Sequence, residues 1–208
     1  MKRMKVAVVD DHAVVRMGLK YALSVFKDME FVGEHPDGEG AAEFVAMVRP
    51  DVLLLDIRMP GKDGVAALGE ILSAVPEQKV VMLTTAGTEE EVYRSLSQGA
   101  KGYVMKDSAP GNIVDAIRVV AEGGTYVPKE IRALYEERRR SPELTPRELE
   151  ALALLTKGLS NREIAAKLGI SEDGAKIHLK HINEKLGAKD RVDAVAIAIR
   201  RGLTRPEQ

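Results

Sequence analysis

Through the first half of the chain, short unbroken apolar runs alternate with stretches in which apolar residues recur every three or four positions. The runs are Val6 to Val9, Val52 to Leu55, Val80 to Leu83 and Tyr103 to Met105, with Phe31 to Gly33 as a shorter one. Runs of this kind suit strands of a parallel sheet buried on both faces. Helical spacing appears over 13 to 26, where Val14, Leu19, Leu23 and Phe26 fall in phase, and again over 39 to 49, 65 to 74, 89 to 98 and 111 to 121. Five alternating βα units predict right-handed crossovers and a doubly wound five-stranded parallel sheet. Gly123, Gly124 and Pro128 punctuate its end, which sets a first domain at residues 1–124. Residues 131 to 140 read as a charged spacer helix closing on Arg138, Arg139 and Arg140, inside a linker over 125–142.

Residues 143–208 change character. Thr145-Pro146-Arg147-Glu148 combines a capping box with Pro at the first helical position, and Ser160-Asn161-Arg162-Glu163 repeats the box. Gly158, Gly169 and Gly187 stand where left-handed backbone ends a helix, and Ser171 and Asp190 are further caps. Four helices follow, over 146–157, 161–168, 172–186 and 191–201. The short second helix, three-residue turn and longer third helix have helix-turn-helix proportions. On that third helix Ile177, Ile182 and Leu186 form an apolar face, while Lys176 and Lys180, four apart, share an outward one. Part of a stripe of Val192, Val195, Ala196 and Ile199 on the last helix is expected to close the small core.

The residues that stop the apolar runs carry the chemistry. Asp10 and Asp11 follow the first, Asp56 the third, Thr84 the fourth and Lys106 the fifth. Ligands of an open α/β sheet sit beyond the carboxyl ends of the strands, so three carboxylates, a hydroxyl and an ammonium converge there.

Charge separates the halves. Residues 1–124 hold 14 Lys and Arg against 19 Asp and Glu, whereas the remainder sums to +4 within a chain of net charge −1. An acidic half suits a metal ion and a basic half a polyanion. Zero cysteines exclude a disulfide framework, a thiolate metal site and a cysteine nucleophile. The longest apolar stretch, Ala194 to Ile199, is far too short to span a bilayer. A cytoplasmic protein with no membrane partner is expected.

Both motif sets together resemble the two-component response regulators of the NarL/FixJ type, a receiver domain followed by a LuxR-type helix-turn-helix DNA-binding domain. The receiver likeness rests on Asp10-Asp11, Asp56 with Met59-Pro60-Gly61 behind it, Thr84, Tyr103 and Lys106. The likeness of the tail rests on Leu144 to Glu148, Gly158 to Ala165 and Lys185-Leu186-Gly187. The resemblance implies a flavodoxin-like α/β receiver with strand order 2-1-3-4-5 and a small all-α domain of four helices. It also implies that Asp56 takes a phosphoryl group from the phosphohistidine of a sensor histidine kinase. Like-charged Asp10, Asp11 and Asp56 tolerate one another by sharing Mg²⁺, ligated by Asp11 and Asp56, by Asp10 through water and by the Arg58 carbonyl. Lys106 and Thr84 would meet the phosphoryl oxygens, and Tyr103 is the switch aromatic that follows Thr84 inward.

For the tail the resemblance implies double-stranded DNA as partner, with Lys176, Ile177 and Lys180 facing bases and His178 nearer the backbone. A homodimer on phosphorylation or on DNA follows from the same likeness, as does a regulator that is no enzyme beyond its own phosphoryl transfer. The family commonly has Thr-Val before that first lysine, where this chain has Gly174-Ala175, which puts DNA contacts there in question.

Three other readings compete. A haloacid dehalogenase-type phosphatase needs a second Asp two residues after its nucleophile, and Arg58 stands there. A binding-only regulator would not need the full acid cluster. A dinucleotide-binding domain needs a glycine-rich turn where this chain has Asp10 to Ala13.

Overall fold

The computed structural model of the chain describes residues 3–85 and 87–204. They form two compact units, the first running to Ala133 and the second starting at Leu134 with Thr88–Glu90 grouped into it.

The first unit alternates strand and helix: β1 (Met4–Val9), α1 (Ala13–Ser24), β2 (Met29–His35), α2 (Ala41–Val48), β3 (Val52–Asp56), α3 (Gly64–Ala74), β4 (Val80–Thr84), α4 (Glu89–Gln98), β5 (Gly102–Met105) and α5 (Pro110–Ala121). The sheet order is β2-β1-β3-β4-β5 with every pairing parallel, as expected. Every residue of β3 and β4 is buried, which is why both read as unbroken apolar runs. One side of the sheet packs Val8, Leu54 and Leu83 with Leu23 of α1 and Ile117 of α5. Fully burying a side chain of that size contributes about 1.5–3 kcal/mol. Strand β2 is longer than its apolar run predicts because it lies at the sheet edge. There Glu30 and Glu34 tolerate partial exposure, and polar residues hide the strand pattern. Beyond the other edge, Tyr126 bridges Gly102, a contact with no signal in the sequence.

Helix α1 corrects one expectation. Leu19 and Leu23 are buried, but Val14 is 82% exposed, so its apolar phase faces outward.

After α6 (Lys129–Arg140), the second unit contains α7 (Pro146–Thr156), α8 (Asn161–Leu168), α9 (Glu172–Leu186) and α10 (Arg191–Arg201). Both capping boxes form, Ser171 caps Gly174 N–H at 3.1 Å, and Asp190 caps Asp193 N–H at 2.9 Å. Each such cap is worth about 1 kcal/mol. Ala151, Leu155, Ile164, Ile182 and Leu186 build the core.

One expected apolar face is corrected here, and a second is met in part. On α9 the inward residues are Ala175, Ile182 and Leu186, while Ile177 is 54% exposed beside the lysines. On α10 the core is closed by Ala194, Ile197 and Ala198; Val192 and Ile199 are exposed and only Val195 of the expected stripe packs against the core. The helix carries two apolar stripes, and the one with small alanines, which admits closer packing, faces inward.

Candidate functional site

The carboxyl ends of β1, β3, β4 and β5 bring Asp10, Asp56, Thr84 and Lys106 to one edge of the sheet. Asp10 and Thr84 are wholly buried and Asp56 nearly so. Backbone geometry fixes the two acids: Asp10 Oδ1 accepts the His12 N–H at 2.9 Å and Asp56 Oδ1 accepts the Arg58 N–H at 3.3 Å. Close packing fixes the strand end as well. Gly64, which starts α3, donates its N–H to the Ile57 carbonyl at 2.8 Å, and a Cβ on it would collide with the Asp56 carbonyl oxygen.

Lys106 lies between the two buried acids, with Nζ 2.7 Å from Asp10 Oδ2 and 2.8 Å from Asp56 Oδ2. Its own N–H is held by the Thr84 carbonyl at 2.7 Å. Asp11, more exposed, meets His12 Nδ1 at 2.7 Å through Oδ1. Burial pushes the Asp56 carboxyl above the ordinary carboxylate range. The Asp10 charge adds to that shift, while Lys106 and the Arg58 N–H oppose it.

One ammonium between two of three carboxylates leaves the cluster anionic. One ligand atom from each of Asp10, Asp11, His12 and Asp56 falls within 4.8 Å of the others. An oxygen-dominated donor set of this kind fits a hard divalent cation such as Mg²⁺. The Arg58 backbone lies two residues past Asp56, while its guanidinium turns to Glu91 at 3.3 Å, away from acid–base duty.

Thr84 Oγ1 and the Tyr103 hydroxyl are buried without a hydrogen-bond partner among the described residues. Tyr103 is fully inside, and burial drives its phenol far above the usual range, assisted by Glu91 and opposed by Arg58. Sequence reasoning missed three contributors. Arg16 Nη1 donates to the Asp10 carbonyl at 2.8 Å, one helical turn past His12; Gly64 sits under Asp56; Gly87 faces Tyr103. Only Arg16, four residues after His12 on a predicted helix, offered any signal.

In the second unit, α9 presents Lys176, Ile177 and Lys180 to solvent, with His178 half-buried. A groove of about 560 Å³ beside this face is lined by Lys176, Lys180, Asn183, Lys189 and Arg191. Arg191 fixes its rim, donating to Asn161 Oδ1 at 3.2 Å and to the Leu159 carbonyl. Glu148, in the capping box of α7, accepts from Lys185 of α9 at 2.7 Å.

Comparison with known proteins extends the geometry. The response regulator receiver domain family matches residues 6–118, and the luxR family of bacterial regulatory proteins matches residues 142–198. The chain is 38% identical to the uncharacterized transcriptional regulatory protein YxjL of Bacillus subtilis, covering 97% of each. It is 38% identical to the response regulator protein VraR of Staphylococcus epidermidis, covering 96% of this chain and 98% of that one. Among solved structures, RcsB from Salmonella enterica serovar Typhimurium bound to promoter DNA with the phosphomimetic BeF₃⁻ superposes with a TM-score of 0.74. It is 26% identical, over 94% of this chain and 98% of that chain. A further RcsB structure, described as two dimers bound to two parallel DNAs, has a TM-score of 0.70 at 26% identity, over 94% of this chain and 98% of that chain. No described helix is long and apolar enough to cross a membrane.

Proposed function

The chain belongs to the response regulators that join a receiver domain to a LuxR-type DNA-binding domain, and on that basis we propose that Asp56 is the phosphoryl acceptor through which its DNA binding is controlled. The observation that carries this reading is Lys106 Nζ poised 2.8 Å from Asp56 Oδ2 in a buried acidic cluster. An Asp56 carboxylate oxygen attacks phosphorus of a kinase phosphohistidine; the new O–P bond forms as the P–N bond breaks, and the leaving imidazole nitrogen takes up a proton. Because burial raises the Asp56 pKa, the Lys106 charge matters before the reaction as well as after it, keeping the nucleophile ionised. Once the phosphoryl group is on Asp56, Lys106 pairs with one of its oxygens and the orphan Thr84 hydroxyl donates to another.

Asp11, Asp56 and the Arg58 carbonyl would hold Mg²⁺, with Asp10 through water. When bound, the ion neutralises charge on the acids and on the transferring group. Tyr103 is the switch aromatic, a role that its full burial beside the site supports. The domain limits are 1–124 for the receiver, 125–142 for the linker and 143–208 for the DNA-binding domain. Lys176, Ile177 and Lys180 face bases and His178 the backbone. A sensor histidine kinase, duplex DNA and a second copy of the chain are the partners, in the cytoplasm. RcsB bound to DNA as dimers supports the last two partners by analogy.

Intact-mass spectrometry after incubation with acetyl phosphate and Mg²⁺ tests the acceptor. The native chain gains one phosphoryl group and Asp56→Asn gains none; full labelling of that variant refutes the assignment.

A further inference from the structure

The first turn of α9 is acidic, although this helix carries the surface that meets a polyanion. Asp173 is 86% exposed in its side chain, and Lys176 Nζ donates to its Oδ1 at 3.1 Å while lying 3.6 Å from Glu172 Oε1. The lysine that should face bases is therefore already paired within its own helix, and these two carboxylates raise its pKa.

Between Asp173 and Lys176 lies Gly174, whose N–H donates to the Ser171 cap oxygen at 3.1 Å. Its backbone is outside the left-handed region. An added Cβ would meet Ser171 Oγ at 3.3 Å, so the cap oxygen would have to give by a few tenths of an ångström, and Ile170 atoms at 3.7 Å, an ordinary contact. A helix loses stability by having glycine in place of alanine. Glycine permits close approach of backbone to a ligand.

Recognition helices contact base edges with their N-terminal residues. A carboxylate there repels phosphates, but it accepts a hydrogen bond from the cytosine N4 amino group, while a lysine donates to guanine O6 and N7. These groups lie side by side on the major-groove edge of one base pair, and Asp173 and Lys176 are neighbours on one helix face.

We infer that Asp173 is a specificity-determining residue that reads a cytosine in the major groove, handing Lys176 to the paired guanine, with Gly174 letting the helix start approach the groove floor. On DNA without that pair, Asp173 keeps Lys176 and repels the backbone, so binding to other sequences is weak. The inference rests on the assignment of α9 to DNA and adds a base preference to it.

The test is selection of bound duplexes from a random library by the full-length chain, treated with acetyl phosphate and Mg²⁺, followed by anisotropy titrations across salt. Native protein should select a site with a fixed cytosine. Asp173→Ala should lose discrimination at that position by about tenfold or more. It should also bind unrelated DNA more tightly, with a salt slope steeper by about 0.9 as Lys176 turns to a phosphate. Asp173→Asn should change the preference from cytosine to adenine, which an asparagine reads through N6 and N7. Asp173 is exposed and makes no core contact, so both variants retain the fold. An unchanged selected site and salt slope in Asp173→Ala overturns the inference alone. A native protein that selects no sequence overturns the assignment of α9 as well.

Discussion

Gly87 and Tyr103 are fitted to each other: a Cβ on residue 87 would stand 2.5 Å from the Tyr103 hydroxyl oxygen. The buried phenol is itself without a hydrogen-bond partner among the described residues, and its hydroxyl occupies the space that a side chain at 87 would need. Gly87→Ala is expected to expel the ring. Tyrosine fluorescence quenching by acrylamide should then rise, and in a Tyr103→Phe background Gly87→Ala should lower the thermal midpoint less than it does beside tyrosine, because the colliding oxygen is gone.

Asp56 weakens the folded state it serves. Its folded pKa lies above the unfolded value of 3.8, so the native chain holds this proton more tightly than the unfolded chain does. Stability from this group is therefore highest below pH 3.8 and falls as pH rises through the folded value. Asp56→Asn removes the penalty while Lys106 keeps Asp10 as partner, 2.7 Å away. Without divalent cation at neutral pH, the variant should be the more stable of the two, with the higher Tm. The difference should vanish in strong acid, and thermal melts across pH measure it.

Glu148 behaves in the opposite sense. Burial alone would raise its pKa, but the bonds from Lys185 and Thr145 outweigh burial and hold it below 4.5. It therefore contributes stability above pH 4.5, lost as pH falls through its folded value. Glu148→Gln removes the ion pair with Lys185 while its amide oxygen can still accept the Thr145 N–H, and should destabilise the helical domain by about 1 kcal/mol at neutral pH. Urea melts followed by circular dichroism should show the gap closing in acid.

The sheet and its acidic edge were legible because both follow from local rules. Strands buried on two faces must be apolar throughout, so the residue that ends each run marks the sheet's carboxyl edge, and Asp10, Asp56, Thr84 and Lys106 stand there. The helical ends were legible because Thr145, Ser160, Ser171 and Asp190 announce their own caps. Side-chain phase was less so. Val14, Ile177 and Val192 are apolar at helical spacing yet exposed, since spacing gives a face without saying which way it turns. The fit of Gly87 to Tyr103 and of Gly64 beneath Asp56 depends on distances between segments far apart in the chain, which no local pattern encodes.

The central claim is that one buried acid governs DNA binding at the other end of the chain. Its most direct measurement is the DNA affinity of the native protein and of Asp56→Asn, at fixed salt, before and after acetyl phosphate with Mg²⁺. The native affinity should change by about tenfold, a coupling of ordinary size, and the variant's should stay constant. An equal change in both proteins, or none in a native chain that demonstrably carries the phosphoryl group, would contradict the account.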